Sequence, residues 1–207
     1  VDFDMVRVPP GRFVDGEGST RRELLVSRPF QIGVAPVTQA LWRAVMGSSP
    51  SKFRGEDQPV EQVSWNEVQQ LMAALVKRGL PGFRLPTEAE WVWAARCGAP
   101  TRWAGADRGK AAAVVSSRQT AAVAGLSGAA VGTFDLSGNV WEWVGDWYEQ
   151  VSLAGVDMQG PASGSNRVLR GGSWGRDPQY ARVAIRSGFT PGVRNDRLGV
   201  RLLRTAP

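Results

Sequence analysis

Few residues of this chain could do chemistry. Cys97 is the single cysteine among 207 residues, and histidine is absent. One thiol supports neither an internal disulfide framework nor a multi-cysteine metal site. The lack of imidazole removes Ser-His-Asp and Cys-His nucleophiles, His-ligated zinc, copper or iron, and imidazole proton shuttles. Carboxylates and arginines remain. Asp135 and Glu142 flank the glycine-containing turn of FDLSGNVWEW, and hard cations take such carboxylates together with backbone carbonyls. The competing reading of that turn is a solvated acidic loop capped by Asn139.

The arginines concentrate near the C-terminus. Residues 167–204 hold nine of the 25 basic residues but, of 19 acidic ones, only Asp177 and Asp196, a net +7. The remainder of the chain is close to neutral, so the high isoelectric point belongs to this segment. A basic patch can be a nucleic-acid footprint, yet these arginines are dispersed and no usual nucleic-acid motif accompanies them. The expectation is therefore no nucleic-acid partner, with several arginines acting as planar struts that tie loops together. A frame of Gly171, Gly172, Trp174, Arg182, Ala184, Arg186, Pro191, Arg194, Gly199 and Arg201 interleaves with chemically miscellaneous residues. If R-V-A-I-R is a strand, Arg182, Ala184 and Arg186 share one face and Val183 and Ile185 the other. The apolar pair then either faces out beside Tyr180 and Phe189, as an apolar patch with a charged rim, or faces the core.

The elements that must position this segment are legible as local signals. Residues 1–13 and 24–32 read as extended. Thr38 caps a short helix through Leu41, Trp42 and Val45 that Gly47 stops. Ser64 and Glu67 form a capping box ahead of Val68, Leu71, Met72, Leu75 and Val76, closed by Gly79. Thr87 and Glu90 repeat the box before Trp91, Trp93 and Ala95, and the tryptophans of this helix, like Trp141, Trp143 and Trp147, are expected in the core. Nine tryptophans, 25 glycines and 13 prolines describe one loop-rich domain over residues 1–207, expected to be monomeric. No apolar run approaches a membrane span, and a start at Val1 rather than Met leaves room for a removed leader or anchor and for surface display.

Four motifs in order, PVEQVSWNEVQQLM, FRLPTEAEWVWAAR, FDLSGNVWEWVGDWY and RVLRGGSW, resemble the formylglycine-generating-enzyme (sulfatase-modifying factor) family. The resemblance runs from about Val6 to Arg204. It implies an α+β domain of C-type lectin-like type with little regular secondary structure, a few helices and small twisted antiparallel sheets. It also implies a structural calcium ion held by side-chain oxygens of Asp135 and Glu142 and carbonyls of Gly138 and Val140. The family's oxidases use a cysteine pair with copper shortly after the GGS motif, and other enzymes with this domain use histidine-bound iron. Here the stretch reads GGSWGRDPQYARVAIRS, without cysteine, and a single soft ligand elsewhere cannot supply the thiolate geometry copper needs.

The C-terminal stretch is similar to another branch of this fold, the variable proteins of diversity-generating retroelements. Their last segment is rewritten by a reverse transcriptase that mutates template adenines while a fixed frame persists. Arg167 to Trp174, Arg182-Val-Ala-Ile-Arg186, Pro191-Gly-Val-Arg194 and Gly199-Val-Arg-Leu202 carry the likeness. It implies variable, ligand-contacting positions at Gly175, Arg176, Asp177, Gln179, Tyr180, Val183, Ile185, Ser187, Gly188, Phe189, Thr190, Val193, Asn195, Asp196 and Arg197, and turns Val183 and Ile185 outward. The expectation is a non-catalytic binding protein for a protein or surface ligand. The alternative is a divergent or inactive formylglycine-generating-like oxidase in protein or natural-product maturation.

Overall fold

Three helices form where the capping signals stand. In α1 (Gln39–Met46) the Thr38 hydroxyl accepts from the Leu41 amide, and Gly47 ends the helix at φ 86°. Both halves of the box close at the start of α2 (Trp65–Lys77) and again at α3 (Glu88–Arg96). Arg84 grips the Glu90 carboxylate with both guanidinium nitrogens, at 2.7 and 2.6 Å, so the box residue also fixes where α3 begins. The computed structural model describes residues 3–98, 101–106, 113–125, 128–150 and 154–205; the first two residues of the expected N-terminal strand lie outside them.

Eleven short strands make three sheets among the described residues. β1 (Met5–Val8), β4 (Phe30–Gly33), β11 (Leu203–Thr205) and β5 (Phe83–Arg84) form one, in that order. β2 (Gly11–Asp15), β3 (Arg22–Val26) and β7 (Gly155–Val156) form the second. The third runs β10 (Leu198–Val200), β6 (Trp141–Trp147), β8 (Arg167–Arg170), β9 (Arg186–Phe189). The extended run expected over 24–32 is two strands, β3 and β4, broken by Ser27 to Pro29. Two apolar clusters fill the interior. Phe13, Ile32, Trp91 and Val168 belong to one, and Leu71, Leu75, Trp143 and Leu198 to the other. Trp91, Trp93, Trp141 and Trp143 are buried as expected, whereas Trp147 is half-buried beneath the Arg167 guanidinium, 3.4 Å from its ring.

Buried charge knits these layers together. Arg170, fully buried in β8, donates to Glu88 of α3 at 2.8 Å, to Asp15 of β2 at 3.0 Å and to the Val183 carbonyl at 2.8 Å. Arg186 of β9 grips the same Glu88, and Arg22 of β3 reaches Asp15 at 2.7 Å. Burial pushes the Asp15 and Glu88 carboxyls up, but Arg170 first, then Arg22 at Asp15 and Arg186 at Glu88, outweigh it and hold both below the ordinary carboxylate range. A group depressed in the folded state stabilises it above its unfolded pKa and loses that contribution as pH falls through the folded value. Acid unfolding should therefore set in below about pH 4. At neutral pH Glu88→Gln should cost roughly 3–5 kcal/mol, because it removes one of the two carboxylates that neutralise the fully buried Arg170 and the one that pairs with the half-buried Arg186; urea unfolding of the variant at pH 7 and pH 3 checks both, with a smaller difference from the parent at the lower pH.

Candidate ligand-binding surface

The C-terminal segment leaves the third sheet at the end of β8 and re-enters it at β10. Gly171 and Gly172 turn the chain out of β8 with φ of 97° and 75°. At Gly172 a Cβ would lie 2.7 Å from the Ala181 Cα, so only glycine lets the following turn fold back this closely. That turn carries a short 3₁₀ helix, Pro178–Ala181. Trp174 anchors it: the ring is buried, donates its N–H to the Asp196 carbonyl at 2.8 Å and meets Phe53 edge-on at 5.3 Å.

Main-chain bonds and frame residues fasten the rest. The amides of Ser116 and Ser117 donate to the carbonyls of Arg176 and Trp174, that of Val183 to Arg102, that of Asn66 to Pro191 and that of Gln62 to Asn195. Trp103 adds an indole bond to the Pro178 carbonyl at 2.8 Å. Phe53, Gln62, Asn66, Arg102 and Trp103 were not singled out from the sequence. Their partners lie far along the chain, and nothing local marks them.

Against this scaffold the expected contact residues divide into groups. Arg176, Asp177, Gln179, Tyr180, Phe189 and Thr190 are exposed, and Tyr180 and Phe189 are large side chains at 44 and 41 %. Arg176 lies over the Tyr180 ring. Gly175, Ser187, Gly188, Val193, Asn195, Asp196 and Arg197 are partly covered. At Gly175 a Cβ would meet the Arg197 guanidinium at 3.2 Å, and at Gly188 the Tyr148 ring at 3.0 Å. Asn195 accepts from the Arg197 amide and Asp196 pairs with Lys52 at 2.6 Å, so these two also shape their own loop.

Two expectations are corrected. Val183 does not face outward: it is fully buried in the first cluster, and Ile185 is half-buried against the second. R-V-A-I-R is not a strand, because the chain passes from the 3₁₀ helix through a turn and β9 begins only at Arg186. Alternation therefore does not apply, and Arg182 and Arg186 part company, Arg182 to Glu17 and Arg186 to Glu88. Arg194 is also less of a strut than its place in the frame suggests. It pairs with Glu67 at 2.8 Å with 57 % of its side chain exposed, and such pairs contribute little.

The turn expected to hold calcium is buried rather than solvated. Asn139 clasps the main chain of Ala121 through both side-chain atoms. Glu142 is fully buried, accepting from Trp91 at 2.6 Å and from the equally buried Arg201 at 2.8, 3.0 and 3.1 Å. Burial raises the Asp135 carboxyl, the Ala124 amide and Arg201 oppose it, and Glu142 adds to it. A calcium ion ligated by Glu142 would have to take its oxygens from a guanidinium that already neutralises them. As arranged, Asp135, Gly138, Val140 and Glu142 do not fit the ion, and Arg201 supplies the positive charge.

Small twisted sheets, three short helices and a C-terminal segment clipped across one sheet define the class. Residues 2–206 match the sulfatase-modifying factor enzyme 1-like domain, and the chain belongs to that family. Its fold is that of Treponema denticola variable protein 1, at a TM-score of 0.91 and 32 % identity over all of this chain and 96 % of that one. The formylglycine-generating enzyme of Streptomyces coelicolor is 35 % identical over 82 % of this chain and 60 % of its own length. The inactive C-alpha-formylglycine-generating enzyme 2 of Mus musculus is 34 % identical over 83 % and 57 %. The chain thus spans about 60 % of the length of these two relatives. Among the described residues no helix is long and apolar enough to cross a membrane.

Two outcomes test this geometry. Tyr180→Ser and Phe189→Ser should each stay within about 0.5 kcal/mol of the parent, whereas Val183→Ser should cost roughly 2–4 kcal/mol through lost packing and a buried hydroxyl; equilibrium denaturation ranks them. Calcium and chelator should leave the melting temperature equal, and a rise with calcium that Asp135→Asn abolishes would restore the ion.

Proposed function

We propose that this chain is a non-catalytic ligand-binding protein. Its exposed C-terminal side chains, Arg176, Asp177, Gln179, Tyr180, Phe189 and Thr190 foremost, recognise a protein or surface ligand and are diversified by retroelement mutagenesis. The observation that carries the reading is the division of labour just described. Main-chain bonds and buried frame residues hold the segment's path, while exposed aromatic, charged and polar side chains sit on it with few ties of their own. Surfaces of this kind accept substitution at little cost in stability. The likeness to a variable protein over the whole chain supports the same reading.

The curated relatives named as formylglycine-generating enzymes raise the competing oxidase. Residues 171–187 offer it no thiol. Cys97, the only one, ends α3 in a left-handed turn, and burial raises its thiol above the ordinary value, the opposite of what an activated nucleophile needs.

The genomic neighbourhood gives the direct test. A second, near-identical copy of the stretch encoding residues 167–204 should lie beside a reverse-transcriptase gene, with its differences confined to adenines of the codons for the exposed positions. Purified protein supplied with copper should not oxidise a cysteine-containing peptide. Turnover lost in Cys97→Ala would replace this reading with the oxidase.

A further inference from the structure

Beside the C-terminal segment, and built from residues outside it, lies a cleft of about 500 Å³ between β2, the end of α3 and the loop that follows α3. Four arginines line it: Arg12 on β2, Arg21 before β3, Arg96 at the last position of α3, and Arg102. Its one acidic lining residue, Glu17, is already paired with Arg182 at 2.7 Å. Among the described residues Arg12, Arg21 and Arg102 enter no ion pair; Arg96 lies 4.0 Å from the Oδ1 of Asp15, whose Oδ2 is held by Arg22 and Arg170.

Gathering like charges around a concavity is unfavourable unless something offsets it. Most of the carboxylates that could do so here are committed elsewhere. Among the described residues two buried polar atoms at the same place also lack a partner: the Nε of Arg96, whose side chain is only 11 % exposed, and the hydroxyl of Thr101. Unsatisfied buried donors are uncommon and ask for an explanation. Planar guanidinium forks suit an oxyanion that can accept several parallel bonds.

We propose that this cleft is an oxyanion site that takes a phosphate or sulfate group. It goes beyond the recognition proposed above, since none of the four arginines belongs to residues 167–204. The two surfaces adjoin, however. Arg182 closes the cleft's acidic wall, and the Arg102 carbonyl accepts the Val183 amide. A target carrying a phosphate or sulfate ester would meet a constant anchoring charge at one edge and changeable side chains beside it.

Titration calorimetry with inorganic phosphate, and separately with sulfate, at ionic strength held constant with chloride, tests the site without any target. Saturable binding in the range of roughly 1–10 mM is expected. Arg12→Gln and Arg102→Gln, both exposed and outside the buried network, should each weaken it by about tenfold, while Arg28→Gln, away from the cleft, should leave it unchanged. Preference between the two anions reports which ester the cleft suits. No saturable binding, or binding that neither cleft substitution weakens, overturns the proposal. Because the C-terminal side chains take no part in the assay, its failure leaves the recognition reading standing, and a failed genomic test leaves the oxyanion site standing.

Discussion

One fully buried guanidinium has to be neutralised for this fold to exist. Arg170 sits at the centre of the third sheet, and its desolvation is tolerable only because Glu88, Asp15 and two carbonyls of the C-terminal segment surround it. Each partner comes from a different part of the chain. Glu88 opens α3, its amide held by Asp146, whose own carboxyl burial lifts to about 6. Asp15 ends β2, and the carbonyls of Val183 and Ile185 lie where the segment turns toward β9. A buried ion network of this kind is weak evidence for stability gained, since apolar residues could fill the space. Its effect is geometric: the guanidinium admits one arrangement of these four strands of chain and leaves few others satisfied.

This explains which features could be read in advance. The three helices were legible because their signals are local: Thr38, Ser64 with Glu67, and Thr87 with Glu90 each act within one turn. The frame of glycines, tryptophan and arginines was legible from the likeness to known proteins, and Gly172, Trp174 and Arg186 do support the segment. Long-range pairings were not. Glu142 read as a cation ligand because Arg201, 59 residues away, carries no mark in the sequence that it is the partner. Val183 read as outward because the likeness to variable proteins placed it among the contact positions of a strand, whereas Pro178 starts a 3₁₀ turn and the strand begins only at Arg186.

The same scaffold is shared with formylglycine-generating enzymes among its relatives and a variable protein among its structural neighbours, so the fold alone decides neither role. In this chain the C-terminal segment carries no thiol, and its buried side chains, Trp174, Val183 and Arg201 among them, pack or form salt bridges. The arginines divide in the same way. Those at 170 and 201 are fully buried and that at 186 is half-buried, while those at 176, 182 and 194 lie at or near the surface.

The order of the third sheet adds a constraint on chain length. β8 and β10 lie on either side of β6, so the segment leaves and returns across a gap of two strand spacings, about 10 Å. β9, hydrogen-bonded to β8, divides the excursion into two separately closed loops, 171–185 and 190–197. Closure entropy grows only with the logarithm of loop length, about 0.6 kcal/mol for each doubling. Extra residues at the exposed tips, near 176–180 and 190–194, would therefore disturb the sheet far less than a single altered side chain beneath it. The architecture accommodates added length at these tips as readily as exchanged exposed side chains, with every strand kept in register.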